Sequence, residues 1–227
     1  MKRAFTLLLM ILLLVTPVSA LAAENEPEVW DIGGEQMATE PEAAKYNFTK
    51  TFDPAEFRPT LTPYLLADQS EAKGNIVVCS GGSDRRRSNP SEGIPACEYL
   101  NDIGYNAYLL DYRVAPYRSG TMTLDVQRAV RYLRHNADIL GIGAIENLGL
   151  MGFSAGAMHC YGVGIAFSGN TTPDSIYSDY ICDEVDAESA DVDVVICVYA
   201  AGMSHNTKCE PVDISAPVLL LDENDSN

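Results

Sequence analysis

Ser154 is the residue whose surroundings most clearly point to chemistry. It sits in Gly152-Phe153-Ser154-Ala155-Gly156, after the apolar run Asn147–Met151 and before the small-residue segment Ala157–Ala166. That order predicts a strand, a Gly-x-Ser-x-Gly turn and a helix. The turn is too tight for a Cβ at its glycines, so the serine hydroxyl is held exposed above the strand ends. A serine hydroxyl is a weak nucleophile by itself. It needs a base, an acid that orients the base, and donors for the oxyanion that forms when an acyl carbonyl is attacked. The amide of Ala155, at the start of the following helix, is one such donor. A second source is Ser80-Gly81-Gly82-Ser83, which follows another apolar run, Asn75–Cys79. Only small residues let backbone amides come this close to a substrate oxygen.

Several elements must hold these groups in place. Continuous apolar runs at Asn75–Cys79, Asn106–Asp111, Val192–Ala200 and Pro217–Leu221 read as strands buried on both faces. Arg58–Leu66 alternates weakly and carries two prolines, which suits an edge strand. Helices are predicted over Pro90–Asn101, with Ile94, Cys97 and Leu100 facing inward, and over Thr123–Leu140. In the second, Val126, Ala129, Val130, Leu133, Ala137 and Leu140 share one face. Thr123 is expected to cap that helix and Asp125 to suit its N-terminal dipole. Arg128, Arg131 and Arg134 fall on its other faces and are expected in solvent. Ser168–Ala190 is polar and acidic and reads as an inserted loop or short cap. Strands alternating with helices imply an α/β fold with a mainly parallel sheet and helices on both faces.

The first residues stand apart. Lys2 and Arg3, the apolar Ala4–Val15 and the small Val18-Ser19-Ala20 form the pattern of an export signal over residues 1–20. Residues 21–52 read as a linker or N-terminal arm in which Trp30 is the one residue able to dock, and 53–227 as the folded domain. The signal carries two of the 15 basic residues and no acid, so the remainder has a net charge of about −19. A chain this acidic is repelled by nucleic acid and by anionic membrane, which leaves neutral or cationic targets. No further stretch is long enough to span a bilayer. Of the six cysteines, Cys79, Cys97, Cys160 and Cys197 sit in apolar strands or helices and read as buried thiols. Cys182 and Cys209, in loops, are the one pair considered for a disulfide. No Cys or His spacing suggests a metal.

Taken together, Gly81-Gly82, the Asp111-Tyr112-Arg113-Val114-Ala115-Pro116 segment, the Arg131–Ala137 helix and Gly152–Gly156 resemble an alpha/beta-hydrolase. The nearest resemblance is to the exported carbohydrate-esterase-like branch, which includes acetyl xylan and feruloyl esterases. It extends over about Leu61–Leu221. It implies that Ser154 is the nucleophile and that Gly82, Ser83 and Ala155 form the oxyanion hole, with Gly81 allowing close approach. Ser83 stands where the family has a third glycine. A main-chain donor tolerates this if φ is negative there, whereas a positive φ strains a serine. The resemblance also implies that Leu221–Asp225 is the acid loop, with Asp225 the acid and Asp222 second.

The family's base histidine follows one more helix and strand, and the sequence stops at Asn227. The expectation is therefore a fold lacking its last helix, its last strand and its catalytic histidine, with little or no esterase activity in these 227 residues alone. His135 lies on the outer helix. His159, in the helix after Ser154, is expected to point away from the strand ends. His205 follows the penultimate strand on the catalytic edge and is the remaining base candidate. The implied activity is hydrolysis of acyl esters on a small molecule or oligosaccharide, with no cofactor. The rival readings are an inactive fold used for binding and a peptidase of the same fold. Arg85-Arg86-Arg87 reads either as a clamp for an acidic substrate group or, preferred, as a solvated loop or one paired with the acidic insert.

Overall fold

The computed structural model describes residues 28–33, 53, 57–117, 119–166, 172–176, 180–200 and 218–221. Seven strands form one sheet: β1 (Trp30–Asp31), β2 (Thr60–Tyr64), β3 (Asn75–Cys79), β4 (Asn106–Asp111), β5 (Leu148–Phe153), β6 (Val194–Val198) and β7 (Val218–Leu221). Their order is β1-β2-β4-β3-β5-β6-β7. From β4 to β7 all neighbours are parallel, while β2 is antiparallel to both β1 and β4. The helices are α1 (Gly93–Asp102), α2 (Ser119–Leu140), α3 (Ala155–Tyr161) and the short α4 (Pro173–Ile176). No helix among the described residues is long and apolar enough to cross a membrane.

The continuous apolar strands work because successive side chains alternate faces and both faces are covered. Val77 and Cys79 of β3, with Tyr108 and Leu110 of β4, join Val126, Val130 and Leu133 of α2 and Ala157 and Cys160 of α3 in the larger core. The intervening Ile76, Val78, Ala107 and Leu109 face the other way and pack on Ala96, Cys97 and Leu100 of α1. Cys79, Cys97, Cys160 and Cys197 are buried free thiols, as expected. Cys182 is an exposed thiol, and Cys209 lies outside the described residues.

Several expectations need correction. β2 is not the edge strand, because β1 pairs with its Thr60 and Leu61. Pro63 nevertheless lies past the end of that pairing and meets only β4, opposite Tyr108. A residue without an amide proton is therefore tolerated there. Trp30 does dock, 8% exposed and against Tyr108 and Tyr132.

α2 starts four residues before Thr123, so Thr123 is an interior, buried residue and not its cap. Asp125 is fully buried and accepts from the amide and guanidinium of Arg113. Arg128 and Arg131 are buried, not solvated. Arg128 bonds Ile32 O and pairs with Asp183, Arg131 bonds Glu188 O, and Arg134 reaches Ser189 O. The acidic segment at 180–191 is thus fastened along α2 through these arginines. Apolar periodicity puts charge on a helix's outer face, but it cannot show that another segment of opposite charge will cover that face.

Candidate active site

Ser154 lies between the end of β5 and the first residue of α3, with φ 48° and ψ −114°. Non-glycine residues seldom occupy this region, and holding one there costs about 1–3 kcal/mol. The neighbours that hold it are specific. Ser154 N donates to Val198 O on β6 at 2.9 Å, and Ser154 O accepts from Met158 N at 3.3 Å. A Cβ on Gly152 would stand 2.6 Å from the backbone of Ala157, and one on Gly156 would strike the carbonyls of Cys79 and Ser80. The two glycines therefore let α3 turn back immediately against β5 and β3.

The loop leaving β3 is pressed against this turn. At Gly81 a Cβ would lie 2.9 Å from both Phe153 O and Ser154 Cβ. Three consecutive residues then take positive φ: Gly82 (141°), Ser83 (57°) and Asp84 (57°). Ser83 thus falls in the strained alternative. The loop's own bonds curl it tightly, with Arg85 N donating to Gly82 O and Ser88 N to Gly81 O at 2.9 Å. Gly81 N donates to Glu92 Oε2 at 2.5 Å. The amides of Gly82, Ser83 and Ala155 make no hydrogen bond to another described residue.

Side chains from neighbouring elements brace the loop. Tyr112 Oη donates to Ser80 O at 2.7 Å, and burial keeps that phenol's pKa far above its ordinary value, so it stays a neutral donor. Ser80 Oγ bonds Asn89, whose amide donates to Asp111. Arg87 forms a two-pronged pair with Asp53 at 2.8 and 3.0 Å, donates to Tyr112 O and lies 4.5 Å over the Phe57 ring. Arg87 is therefore a brace within the domain, and its acid partners are Asp53 and Asp111, not the acidic insert.

The histidines divide differently from expectation. His135 is exposed and reaches Glu188. His159 is 2% exposed and does not point away from the strand ends. Its Nε2 lies 2.9 Å from Asp84 Oδ1, in the loop beside Ser154, and its Nδ1 lies 3.2 Å from Thr123 Oγ1. Among the described residues no histidine bonds Ser154. His205, Asp222 and Asp225 lie outside the described residues. Sequence reasoning passed over Asp84 and Glu92. The available signals were a polar residue beside the paired glycines and an acid just before a helix that begins with glycine.

A family model, BD-FAE, matches residues 64–201, the span that carries both the elbow and the loop. The chain belongs to the BD-FAE family. Over 140 residues the chain is 30% identical to endo-1,4-beta-xylanase B of Butyrivibrio fibrisolvens, covering 60% of this chain and 21% of that protein. Another 82-residue match, 35% identical, is to an acetylxylan esterase of Xylanibacter ruminicola, covering 36% and 17%. This BD-FAE chain thus spans about a fifth of the length of the curated relatives it matches. Among solved structures, an acetyl ester-xyloside bifunctional hydrolase from Caldicellulosiruptor lactoaceticus matches with TM-score 0.58 and 30% identity, over 77% of this chain and 57% of that one. A thermophilic esterase of Thermogutta terrifontis matches with TM-score 0.53 and 24% identity, over 66% and 52%, and shares the fold. The fold is that of the alpha/beta-hydrolases.

Proposed function

We propose that this chain is a serine carboxylic-ester hydrolase acting on acyl esters of carbohydrate. The observation that carries the reading is the position of Ser154, strained at φ 48° and backed onto a loop whose Gly82 and Ser83 amides make no hydrogen bond to another described residue. The names of the relatives, an acetylxylan esterase and an acetyl ester-xyloside hydrolase, support an acetylated sugar as the substrate class.

In this reading Ser154 Oγ attacks the acyl carbon while a histidine base takes its proton. The carbonyl oxygen becomes an oxyanion that accepts from the amides of Gly82, Ser83 and Ala155. The tetrahedral intermediate collapses, the base returns its proton to the departing sugar hydroxyl, and an acyl-serine remains. Water then attacks the acyl carbon and releases the free acid. Asp225 is assigned to orient the base, and His205 is the base candidate in the sequence. Residues 1–20 are assigned as an export signal, which places the ester hydrolysis outside the cytoplasm.

The test uses the full 227-residue chain with p-nitrophenyl acetate and with acetylated xylo-oligosaccharides, following acetate release. Turnover by these 227 residues is the outcome that would make His205 the base, and Ser154→Ala is then expected to lower it by about a thousandfold or more. His205→Ala and Asp225→Asn, assayed beside it, report whether these residues serve as base and acid. Absence of turnover on every ester, or turnover that survives Ser154→Ala, overturns the reading.

A further inference from the structure

Two consecutive non-glycine residues at positive φ, Ser83 and Asp84, persist only where their surroundings hold them. Asp84 is gripped from two sides. Its carbonyl accepts from Ala115 N at 2.7 Å, and its carboxylate lies 2.9 Å from His159 Nε2. His159 is on α3, five residues after Ser154, so it rides on the helix whose first amide is Ala155. The other ring nitrogen, Nδ1, meets Thr123 Oγ1 of α2 at 3.2 Å. The Tyr112 ring packs against the imidazole with centroids 5.5 Å apart. An ionised carboxylate only accepts, so Nε2 carries the proton that reaches Asp84. One buried ring therefore joins the elbow helix, α2 and the loop leaving β3.

We infer that His159 and Asp84 form a positioning pair that fixes the Gly82 and Ser83 amides relative to the Ala155 amide. Three amides can stabilise one oxyanion only if they converge on one point, and an ångström of drift in such a constellation lowers the rate severely. Gly82 and Ser83 come from one element and Ala155 from another. Their relative position is set by whatever bridges the two, and Asp84 to His159 is a direct side-chain link between them. Neither residue touches the reacting atoms, so both act through the loop. The inference rests on the oxyanion reading above, but its first test does not.

The full chain is compared with Asp84→Gly, Asp84→Asn and His159→Gln. Glycine is at ease at positive φ. If Asp84 were only a turn residue, Asp84→Gly would leave the loop and the activity intact. The first readout is amide hydrogen exchange at Arg85, Ser88 and Ala115, whose bonds go to loop carbonyls. Asp84→Gly and His159→Gln are expected to speed exchange there by about tenfold or more, with β5 amides unchanged and Asp84→Asn close to wild type. The second readout is ester turnover. The same two variants are expected to lose between about tenfold and a hundredfold in kcat, with KM within about twofold, and Asp84→Asn is expected to retain most of it. Unchanged exchange in Asp84→Gly overturns the pair as a latch. Faster exchange with unchanged kcat overturns its positioning role. A wild-type chain with no turnover defeats the oxyanion reading and leaves the exchange result to decide the latch.

Discussion

Glu92 accepts the amide of Gly81 at 2.5 Å, and Gly81 is pressed against Ser154. The bond removes one amide from the loop's supply, while those of Gly82 and Ser83 make no hydrogen bond to another described residue. Glu92 also stands at the N-cap of α1 but makes no side-chain cap bond to its own helix. Its carboxylate is directed to the loop leaving β3.

From this contact, Glu92→Ala is expected to destabilise the fold by about 1–3 kcal/mol, the ordinary range for losing a hydrogen bond to a charged acceptor. Glu92→Gln keeps an acceptor oxygen and is expected to lose less. Urea denaturation of the two variants checks the order. If Gly81 merely needed close packing and no acceptor, both variants would match wild type.

The elbow's second glycine gives a sharper expectation. A Cβ at Gly156 would strike the Cys79 and Ser80 carbonyls, which are backbone atoms at and just past the end of a central strand and cannot rotate aside as a side chain could. Gly156→Ala must push α3 away from β3 and is expected to lose about 1–3 kcal/mol or more. Gly141→Ala is a useful contrast, because φ is +65° there but nothing lies within 4 Å of the added atom. It should show only the smaller cost of a left-handed residue, which a comparison of urea midpoints will reveal.

The parts of the fold that could be read in the sequence are those whose signals are local. β3, β4, β5 and β6 are apolar runs because both of their faces are covered, and the elbow is a five-residue pattern with a steric cause. The misread residues share a different property. Asp125, Arg128, Arg131 and His159 are polar groups whose partners lie 12 to 96 residues away, at Arg113, Ile32, Asp183, Glu188 and Asp84. A polar residue on a helix is placed in solvent by default, since burying it without a partner is costly. The partner is supplied by tertiary structure and leaves no mark in the local pattern. Ser83 is intermediate, because its replacement of glycine was visible but the sign of φ was not.

The Arg113–Asp125 pair tests how much such a hidden partner matters. The side chains are 2% and 0% exposed, joined at 2.5 Å, and Asp125 also receives the Arg113 amide at 2.8 Å. Asp125→Ala strands a buried guanidinium and is expected to cost about 3–5 kcal/mol. Replacing both residues, Arg113→Met with Asp125→Leu, removes the stranded charge. The double variant is expected to be more stable than Asp125→Ala alone. A double-mutant cycle on urea unfolding gives the coupling, and additive losses would show that the pair is not coupled.

The Arg128–Asp183 pair predicts a pH dependence. Arg128 donates to both Asp183 oxygens at 2.5 and 2.7 Å, and these bonds hold the Asp183 carboxyl below the usual carboxylate range. A carboxyl with a lowered folded-state pKa adds stability that is complete above the unfolded pKa, about 3.9. That stability is lost as pH falls through the folded value. Asp183 is 41% exposed, so solvent and salt screen the pair and the contribution is a modest one. Wild type is therefore expected to exceed Asp183→Asn in urea midpoint at pH 7, with the gap narrowing below about pH 4. Adding 0.5 M salt at pH 7 should narrow it as well, by about half or less. A gap that stays constant from pH 7 to pH 3 would mean that Asp183 contributes through its neutral contacts with 180–191 and not through its charge.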